Sequence, residues 1–115
     1  MKKLLLTLIF LLISIFAFSQ KSPCKEDICV VQFNANWNAA NDVKWMNDLN
    51  DCGVKYIDIA TNTEAQSKYE IVVVPTIIVF NGKEVKRFQA DISFAMKATR
   101  KDVQEIIDEI LMSDF

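Results

Sequence analysis

The run Ile28–Phe33, "ICVVQF", constrains the fold of this chain more than any other segment. It is rich in β-branched residues and nearly all apolar, so it predicts a strand that is covered on both faces. A strand of this kind belongs to a layered domain that contains both helices and strands.

Two helices and a second strand are predicted after this run. Apolar residues at positions 39, 43, 46 and 49 have helical spacing and predict a helix over Ala39–Asn50. The segment Gly53–Ala60, "GVKYIDIA", predicts the second strand. Thr61–Glu64, "TNTE", resembles a capping box and predicts a short helix that ends at Tyr69.

The second half of the chain predicts a hairpin and a final helix. Pro75–Phe80 and Lys83–Phe88 flank the turn pair Asn81-Gly82, which is a hairpin signal. Thr99 caps a helix whose apolar residues form one stripe: Val103, Ile106, Ile107, Ile110 and Leu111. The order β-α-β-α-β-β-α predicts an α/β fold with a four-stranded mixed sheet flanked by three helices, because the βαβ opening makes parallel neighbours and the turn makes an antiparallel pair.

The first 19 residues have the pattern of a secretory signal peptide. Lys2 and Lys3 precede the apolar run Leu4–Phe18, and small residues lead to a cleavage site after Ser19. The apolar run falls short of the roughly 20 residues that span a bilayer. We therefore expect a signal peptide over 1–19, a polar leader over 20–27 and a domain over 28–115, exported to the periplasm or secreted. Membrane contact is expected only through an uncleaved signal segment.

The charge and residue types exclude several classes of function. The formal net charge of the 115 residues is -2, and removal of Lys2 and Lys3 changes the balance of 13 − 15 to 11 − 15, or -4. This acidic balance leaves no basic face for nucleic acid. Three scattered cysteines without histidine do not make a recognisable zinc set. We expect no nucleic acid, no metal and no cofactor.

The order of elements and three segments together resemble the thioredoxin family. These segments are "VVQFNANW", "KYIDIATN" and "KYEIVVVPTIIVFNGKEV", and with the closing helix they cover roughly 28–112. The third is the most specific, because Val74, Pro75 and Thr76 stand where thioredoxins have their cis-proline and the start of the central strand. The resemblance implies a minimal thioredoxin-like fold and a cis bond before Pro75.

The sequence departs from this family at the residues that carry its chemistry. Trp37-Asn38-Ala39-Ala40-Asn41 stands in place of Trp-Cys-x-x-Cys, and the buried acid of many thioredoxins falls on Gln32. The family's leading strand and helix are also missing. Thiol-disulfide exchange needs a thiolate that attacks a sulfur atom, and Asn38 has no sulfur. We expect ordinary thioredoxin activity to be lost at this site.

The asparagines have two interpretations. In the favoured one, Asn38 or Asn41 caps the following helix by accepting a backbone N–H bond. In the other, both amides line the family's peptide-binding groove with Trp37 and the residues Val74, Pro75 and Thr76. The function that we predict is a non-catalytic protein- or peptide-binding module. The alternatives are a thiol-disulfide oxidoreductase that uses Cys24, Cys29 or Cys52, and a holdase-type chaperone.

All three cysteines are predicted at the end of the sheet opposite Trp37. A disulfide is the default for a small exported domain in an oxidising compartment. We predict Cys24–Cys52, because Cys24 lies in the leader and Cys29 lies inside an apolar strand. Cys24–Cys29 and Cys29–Cys52 remain the alternatives.

Residues Phe88–Ala98 alternate between apolar and polar side chains. The pattern predicts that the outer strand of the hairpin continues over the core. The functional alternative is an exposed edge over Phe88–Met96 that pairs with a partner's strand or forms a homodimer.

Overall fold

The computed structural model describes residues 21–113, and the predicted signal segment 1–19 lies outside them. Four strands and two α-helices form the domain, with two 3-10 helices between the first two strands. The strands are β1 (Ile28–Asn34), β2 (Gly53–Asp58), β3 (Thr76–Asn81) and β4 (Lys83–Gln89); the α-helices are α1 (Thr63–Lys68) and α2 (Arg100–Ser113); the 3-10 helices are Asn36–Asn41 and Met46–Asp48.

The strands form one mixed sheet in the order β2-β1-β3-β4. β1 pairs with β2 in parallel and with β3 antiparallel, and β4 completes the hairpin with β3. Gly82 takes a φ of 81° at the hairpin turn, a conformation in which glycine avoids the steric cost that a side chain would bring. The predicted α/β fold with a four-stranded mixed sheet is confirmed.

Both faces of β1 are buried, as its apolar sequence predicts. Cys29, Val31 and Phe33 face a cluster that includes Tyr69 after α1. Val30 faces the opposite cluster, which includes the following residues of α2: Val103, Ile107 and Ile110. Burying each large apolar side chain in these layers stabilises the fold by about 1.5–3 kcal/mol.

The predicted helix over Ala39–Asn50 is wrong as a continuous element. The chain forms two short 3-10 helices there instead. Asparagine and aspartate are frequent in this segment, and their side chains compete with helical backbone bonds. Gln32 also binds the backbone of Val43 from both sides: its Oε1 accepts from the Val43 N–H at 2.7 Å, and its Nε2 donates to the Val43 carbonyl at 3.3 Å.

The two α-helices begin at polar caps. The Asn62 side chain accepts from the backbone N–H of Ala65 at 3.1 Å, so Asn62 rather than Thr61 caps α1. At α2, Thr99 and Asp102 make the reciprocal bonds of a capping box, at 3.2 Å and 2.8 Å. Within residues 21–113, no helix has the length and apolar character that a membrane crossing requires.

The predicted continuation of the outer strand to Ala98 is also wrong, because β4 ends at Gln89. The Asp91 side chain accepts bonds from the backbone N–H groups of Ser93 and Ala95 and closes a local turn. Ile92 is 100% exposed at this turn. A turn held by its own side chain replaces the strand that the alternating pattern predicts.

The leader is attached to the hairpin rather than projecting from the domain. Lys21 forms an antiparallel bridge with Lys83, and the Ser22 N–H donates to the Gly82 carbonyl at 3.0 Å. The Tyr69 hydroxyl donates to the Lys21 carbonyl at 3.3 Å. The leader therefore packs at the amino-terminal end of β1, where Ile28 pairs with Asn81.

Candidate functional site

The first 3-10 helix follows the carboxyl end of β1 and places two consecutive side chains in opposite environments. Trp37 is 65% exposed, whereas Asn38 is only 6% exposed. The site therefore combines an exposed aromatic ring with a buried amide at the first position where thioredoxins carry cysteine.

The buried amide of Asn38 belongs to a network of three asparagines. Its Nδ2 donates to Asn34 Oδ1 at 3.1 Å, and its Oδ1 accepts from Asn41 Nδ2 at 2.9 Å. Asn34 Nδ2 returns a bond to the Asn38 carbonyl at 3.2 Å. Among residues 21–113, no buried side-chain nitrogen or oxygen lacks a partner. The network thus satisfies polar groups that would otherwise be costly to bury.

The favoured interpretation of the asparagines as helix caps is wrong. The residue before the 3-10 helix is Ala35, and no side chain caps the start of this helix. Asn38 Oδ1 accepts from another side chain, Asn41, instead of from a backbone N–H. Asn38 Nδ2 in turn donates to Asn34 Oδ1 at the end of β1, so the amide bonds to two other side chains.

Two loops meet the amide of Asn38. Its Nδ2 lies 3.5 Å from the carbonyl oxygens of both Val74 and Phe94. The Val74–Pro75 peptide bond is cis. The Thr76 hydroxyl donates to the Val73 carbonyl at 2.7 Å, which fixes the loop before β3.

The six residues predicted to bind a ligand lie at one end of the sheet, but they differ in solvent exposure. Trp37 and Asn41 are exposed, whereas the side chains of the other four are buried: Asn38, Val74, Pro75 and Thr76. The buried four can position a contact surface, but their side chains do not offer one. Contact with a ligand is left to the exposed pair and to neighbouring apolar residues.

Exposed apolar residues lie at Trp37 and in the two loops that meet Asn38. The Trp37 ring meets the Phe94 ring edge to face, with centroids 5.6 Å apart. Ile92 lies in the same turn, and Val72, 81% exposed, lies in the loop that leads to Val74. We call Trp37, Val72, Ile92 and Phe94 the Trp37 surface.

Asn34 and Phe94 are site residues that the sequence analysis did not identify. Asn34 is fully buried as the last residue of β1, and a second polar residue after Gln32 in a mostly apolar run is the signal that could have found it. Phe94 has a φ of 62°, which is uncommon for a bulky residue. No local pattern indicates that the turn before α2 folds back onto Trp37.

The network reaches the surface through Asp42 and Tyr56. The Asp42 carboxylate accepts from Asn34 Nδ2 and, at 3.1 Å, from the Tyr56 hydroxyl. Burial, the hydrogen bond to Asp42 and the negative charges of Asp42 and Asp58 raise the pKa of Tyr56 to about 12. Tyr56 is therefore a neutral donor at physiological pH.

This end of the sheet supplies hydrogen bonds and apolar contacts but lacks the chemistry of thiol exchange. Gln32, at the position of the family's buried acid, is bonded to the backbone of Val43 and does not titrate. The three cysteines, Cys24, Cys29 and Cys52, lie toward the other end. The described site therefore has no nucleophile suited to disulfide exchange.

The predicted disulfide Cys24–Cys52 is wrong, since Cys24 is bonded to Cys29 with their Cα atoms 6.2 Å apart. The side chain of Cys24 packs against the cluster that contains Cys29, whereas Cys52 packs against the cluster on the opposite face of the sheet. Cys52 is free and half-buried, and burial, followed by the negative charge of Asp51, raises the pKa of its thiol.

Comparison with known proteins identifies the fold. No known family pattern matches the chain, and no curated protein matches it either. Solved structures of thioredoxins do match. A mutant thioredoxin from Halobacterium salinarum has a TM-score of 0.58 at 21% identity, over 72% of this chain and 74% of that one. Schistosoma mansoni thioredoxin has a TM-score of 0.57 at 23% identity, over 85% of each chain.

A third thioredoxin, from Fasciola hepatica, has a TM-score of 0.52 at 26% identity, over 71% of this chain and 79% of that one. The matches agree in architecture, and their low identities carry no information about activity. The chain has the thioredoxin fold, with asparagine at positions 38 and 41.

Proposed function

We propose that this chain is a non-catalytic module that binds an extended protein segment or peptide at the Trp37 surface. The observation that carries the proposal is the pairing of an exposed Trp37 with a fully bonded Asn38. The hydrogen-bonded amide of Asn38 fixes the backbone next to Trp37, and neither residue supplies a nucleophile. The proposed site is a rigid binding surface without a nucleophile.

The energetics of the Trp37 surface favour contact with an apolar polypeptide. Tryptophan contributes more to interfaces than most residues because it buries a large area at a small entropic cost. The edge-to-face contact with Phe94 restricts the indole before binding, so less side-chain freedom is lost when a partner arrives. Asn38, Val74, Pro75 and Thr76 act as positioning residues for this surface, and Asn41 lies at its polar rim.

The proposal is tested by titrating the labelled protein with reduced, carboxymethylated α-lactalbumin, a polypeptide that stays extended. Backbone amide NMR spectra should shift at Trp37, Phe94 and the loop before Pro75. The substitution Trp37→Ala should weaken binding about tenfold or more. Val85→Ala is the matched control, because Val85 is an exposed apolar residue on β4, and it should leave the affinity unchanged.

Two outcomes would contradict the proposal. Shifts that spread over the sheet without a maximum at Trp37 would indicate nonspecific contact. Equal losses in Trp37→Ala and Val85→Ala would indicate general hydrophobic binding, which suits a holdase better than a defined module.

We propose in addition that the chain is exported to the periplasm or secreted, with cleavage after Ser19. The basic start, the short apolar run and the small residues before Gln20 support this. Intact-mass analysis of the protein from the periplasm or the medium should give a chain that begins at Gln20. A chain that retains Met1 and fractionates with membranes would overturn the cleavage.

The disulfide favours a second candidate, a thiol-disulfide redox protein that acts at the opposite end of the sheet. Cys24 is half-buried and lies in the leader at the edge of the domain, which supports attack by an incoming thiolate. The candidates are separated by equilibrating the protein in glutathione buffers of graded potential and counting alkylated thiols. A pair that opens within the glutathione range supports the redox protein, and one thiol at every potential supports a structural disulfide.

A further inference from the structure

A second cluster of polar groups lies where the leader meets β1, at the end of the sheet opposite the Trp37 surface. Sulfur atoms of Cys24 and Cys29 and a carboxylate oxygen of Glu26 all lie within 4.8 Å of one another. We propose that two-electron reduction of the Cys24–Cys29 disulfide turns these three groups into a binding site for a thiophilic divalent cation, of which Zn²⁺ and Cd²⁺ are the probes. The site is independent of the proposed peptide-binding role.

The distances suit such an ion with little movement of the chain. Zn²⁺ binds thiolate sulfur at about 2.3 Å and carboxylate oxygen at about 2.0–2.2 Å, so tetrahedral ligands lie roughly 3.5–3.8 Å apart. The three ligand atoms already fall within 4.8 Å. Once the S–S bond is broken, the sulfurs need to separate only by side-chain rotation, because the Cα atoms of the two cysteines are 6.2 Å apart.

The carboxylate of Glu26 is held over Gly53, the residue beside Cys29 in the sheet. β1 and β2 pair in the register Cys29 to Gly53, so the two positions face the same side. A Cβ at position 53 would lie 2.7 Å from the Glu26 carboxyl carbon and from one of its oxygens. The missing side chain of Gly53 therefore makes room for the third ligand.

The burial of the three ligand residues and their access to solvent resemble those of an open metal site rather than those of a closed structural metal site. Cys29 is buried, Cys24 is half-buried and Glu26 is exposed. A surface depression of about 340 Å³ is lined by Cys24 and Glu26 and gives an ion a path to these two residues. Three protein ligands leave a fourth position for water, as in zinc sites that exchange their ligands.

The chemistry balances with a phosphine as the reductant. The phosphine attacks one sulfur and breaks the S–S bond, and water completes the step to give two thiols and the phosphine oxide. The cation then displaces the two thiol protons, because only thiolates bind it. Disulfide and bound metal exclude each other, so occupancy follows the redox state of the compartment.

The test uses the full domain, reduced with a phosphine and compared with the oxidised protein. Cd²⁺ should give an ultraviolet thiolate-to-metal band that saturates at one ion per reduced chain and is absent from the oxidised chain. Competition with a chromophoric chelator then gives the Zn²⁺ affinity. Cys24→Ser and Cys29→Ser should each lower that affinity by about 100-fold, and Glu26→Gln by about tenfold.

Two further variants separate ligation from folding. Cys52→Ser removes the free thiol and should leave the affinity unchanged. Gly53→Ala should weaken binding by displacing Glu26, although residue 53 has no ligand atom. Amide NMR spectra of the reduced wild-type protein should keep the pattern of the sheet.

The proposal is overturned if reduced wild-type protein binds Zn²⁺ no more tightly than Cys24→Ser. It is also overturned if Glu26→Gln has no effect, since two thiolates alone would then bind the ion. Loss of the sheet spectrum on reduction would remove the register that assembles the site and would count against it in the same way.

Discussion

The two ends of the central strand β1 differ in how they use polar and sulfur-containing side chains. At the carboxyl end, Asn34 and Asn38 bond to each other beneath an exposed Trp37. At the amino end, Cys29 is bonded to Cys24 of the leader. One end holds asparagine amides that do not titrate, and the other holds the cysteine sulfur atoms.

In this chain the thioredoxin fold forms without cysteine beside the exposed Trp37. The cis peptide at Val74–Pro75 and the exposed Trp37 are both present although asparagine stands at positions 38 and 41. Amide groups fill the space with bonds that are each worth about 1 kcal/mol. A hydrogen-bonded asparagine network thus stands where thioredoxins carry a reactive cysteine pair.

The largest expected effect comes from breaking the network at Asn34. Asn34→Leu removes bonds to Asn38 and Asp42 at a fully buried position and should lower the free energy of unfolding by about 3 kcal/mol. Urea denaturation followed by circular dichroism measures the change. Asn36→Ala is the control, because the Asn36 side chain is exposed, and it should change stability by less than about 0.5 kcal/mol. Equal effects would contradict the network's structural role.

Removal of the disulfide should have the next largest effect. Cys24→Ala opens a loop whose ends are separated by five residues in sequence, and loop-closure entropy predicts a loss of about 2 kcal/mol. Urea midpoints with and without reductant provide the measurement, and reduction of the wild-type protein should reproduce the variant's midpoint. A wild-type midpoint that does not change with reductant would show that the Cys24–Cys29 disulfide contributes little to stability.

The free energy of unfolding should depend on the titration of Tyr56 at high pH. Its folded pKa of about 12 lies above the ordinary value of 10.0, so the unfolded chain loses the tyrosine proton first. This group's contribution is complete below pH 10 and is lost as the pH rises toward 12. Unfolding free energies measured across that window should fall more steeply for the wild-type protein than for Tyr56→Phe. Parallel curves would show that the bond to Asp42 does not persist in solution.

The smallest expected effect follows from placing cysteine at positions 38 and 41. In Asn38→Cys/Asn41→Cys the residue spacing of the thioredoxin motif is restored, yet the segment is a short 3-10 helix with a kink at position 38. Without a full α-helix to stabilise a thiolate, and with burial opposing its charge, the pKa of the new thiol at position 38 should not fall below about 8.5. Insulin reduction should stay at the wild-type level. Turnover comparable to that of a thioredoxin would overturn this explanation.

The sequence predicted the sheet well because β1 and β3 are mostly apolar and Asn81-Gly82 favours a tight hairpin turn. The prediction failed where a side chain hydrogen-bonds to backbone groups that are distant in the sequence, as Gln32 does with Val43. The alternating pattern at Phe88–Ala98 was misleading for a related reason, since Asp91 closes a turn that outweighs the pattern.

The geometry around the candidate site was predicted in part. Trp37 and the Val74–Pro75 loop were located by resemblance, but Asn34 and Phe94 emerged only from the folded chain. The disulfide was mispredicted because sequence separation does not show which face of the sheet a cysteine occupies, and Cys52 occupies the face opposite Cys29.

Because the leader is attached to the hairpin, the point where the chain enters the domain lies far from Trp37. Lys21 bonds at the β3–β4 turn, whereas Trp37 follows the far end of β1. The seven residues of that strand separate the two points by roughly 20 Å. Any support joined to the chain ahead of Lys21, whether a sensor chip, a bead or a bilayer, would therefore leave the Trp37 surface pointing outward and accessible.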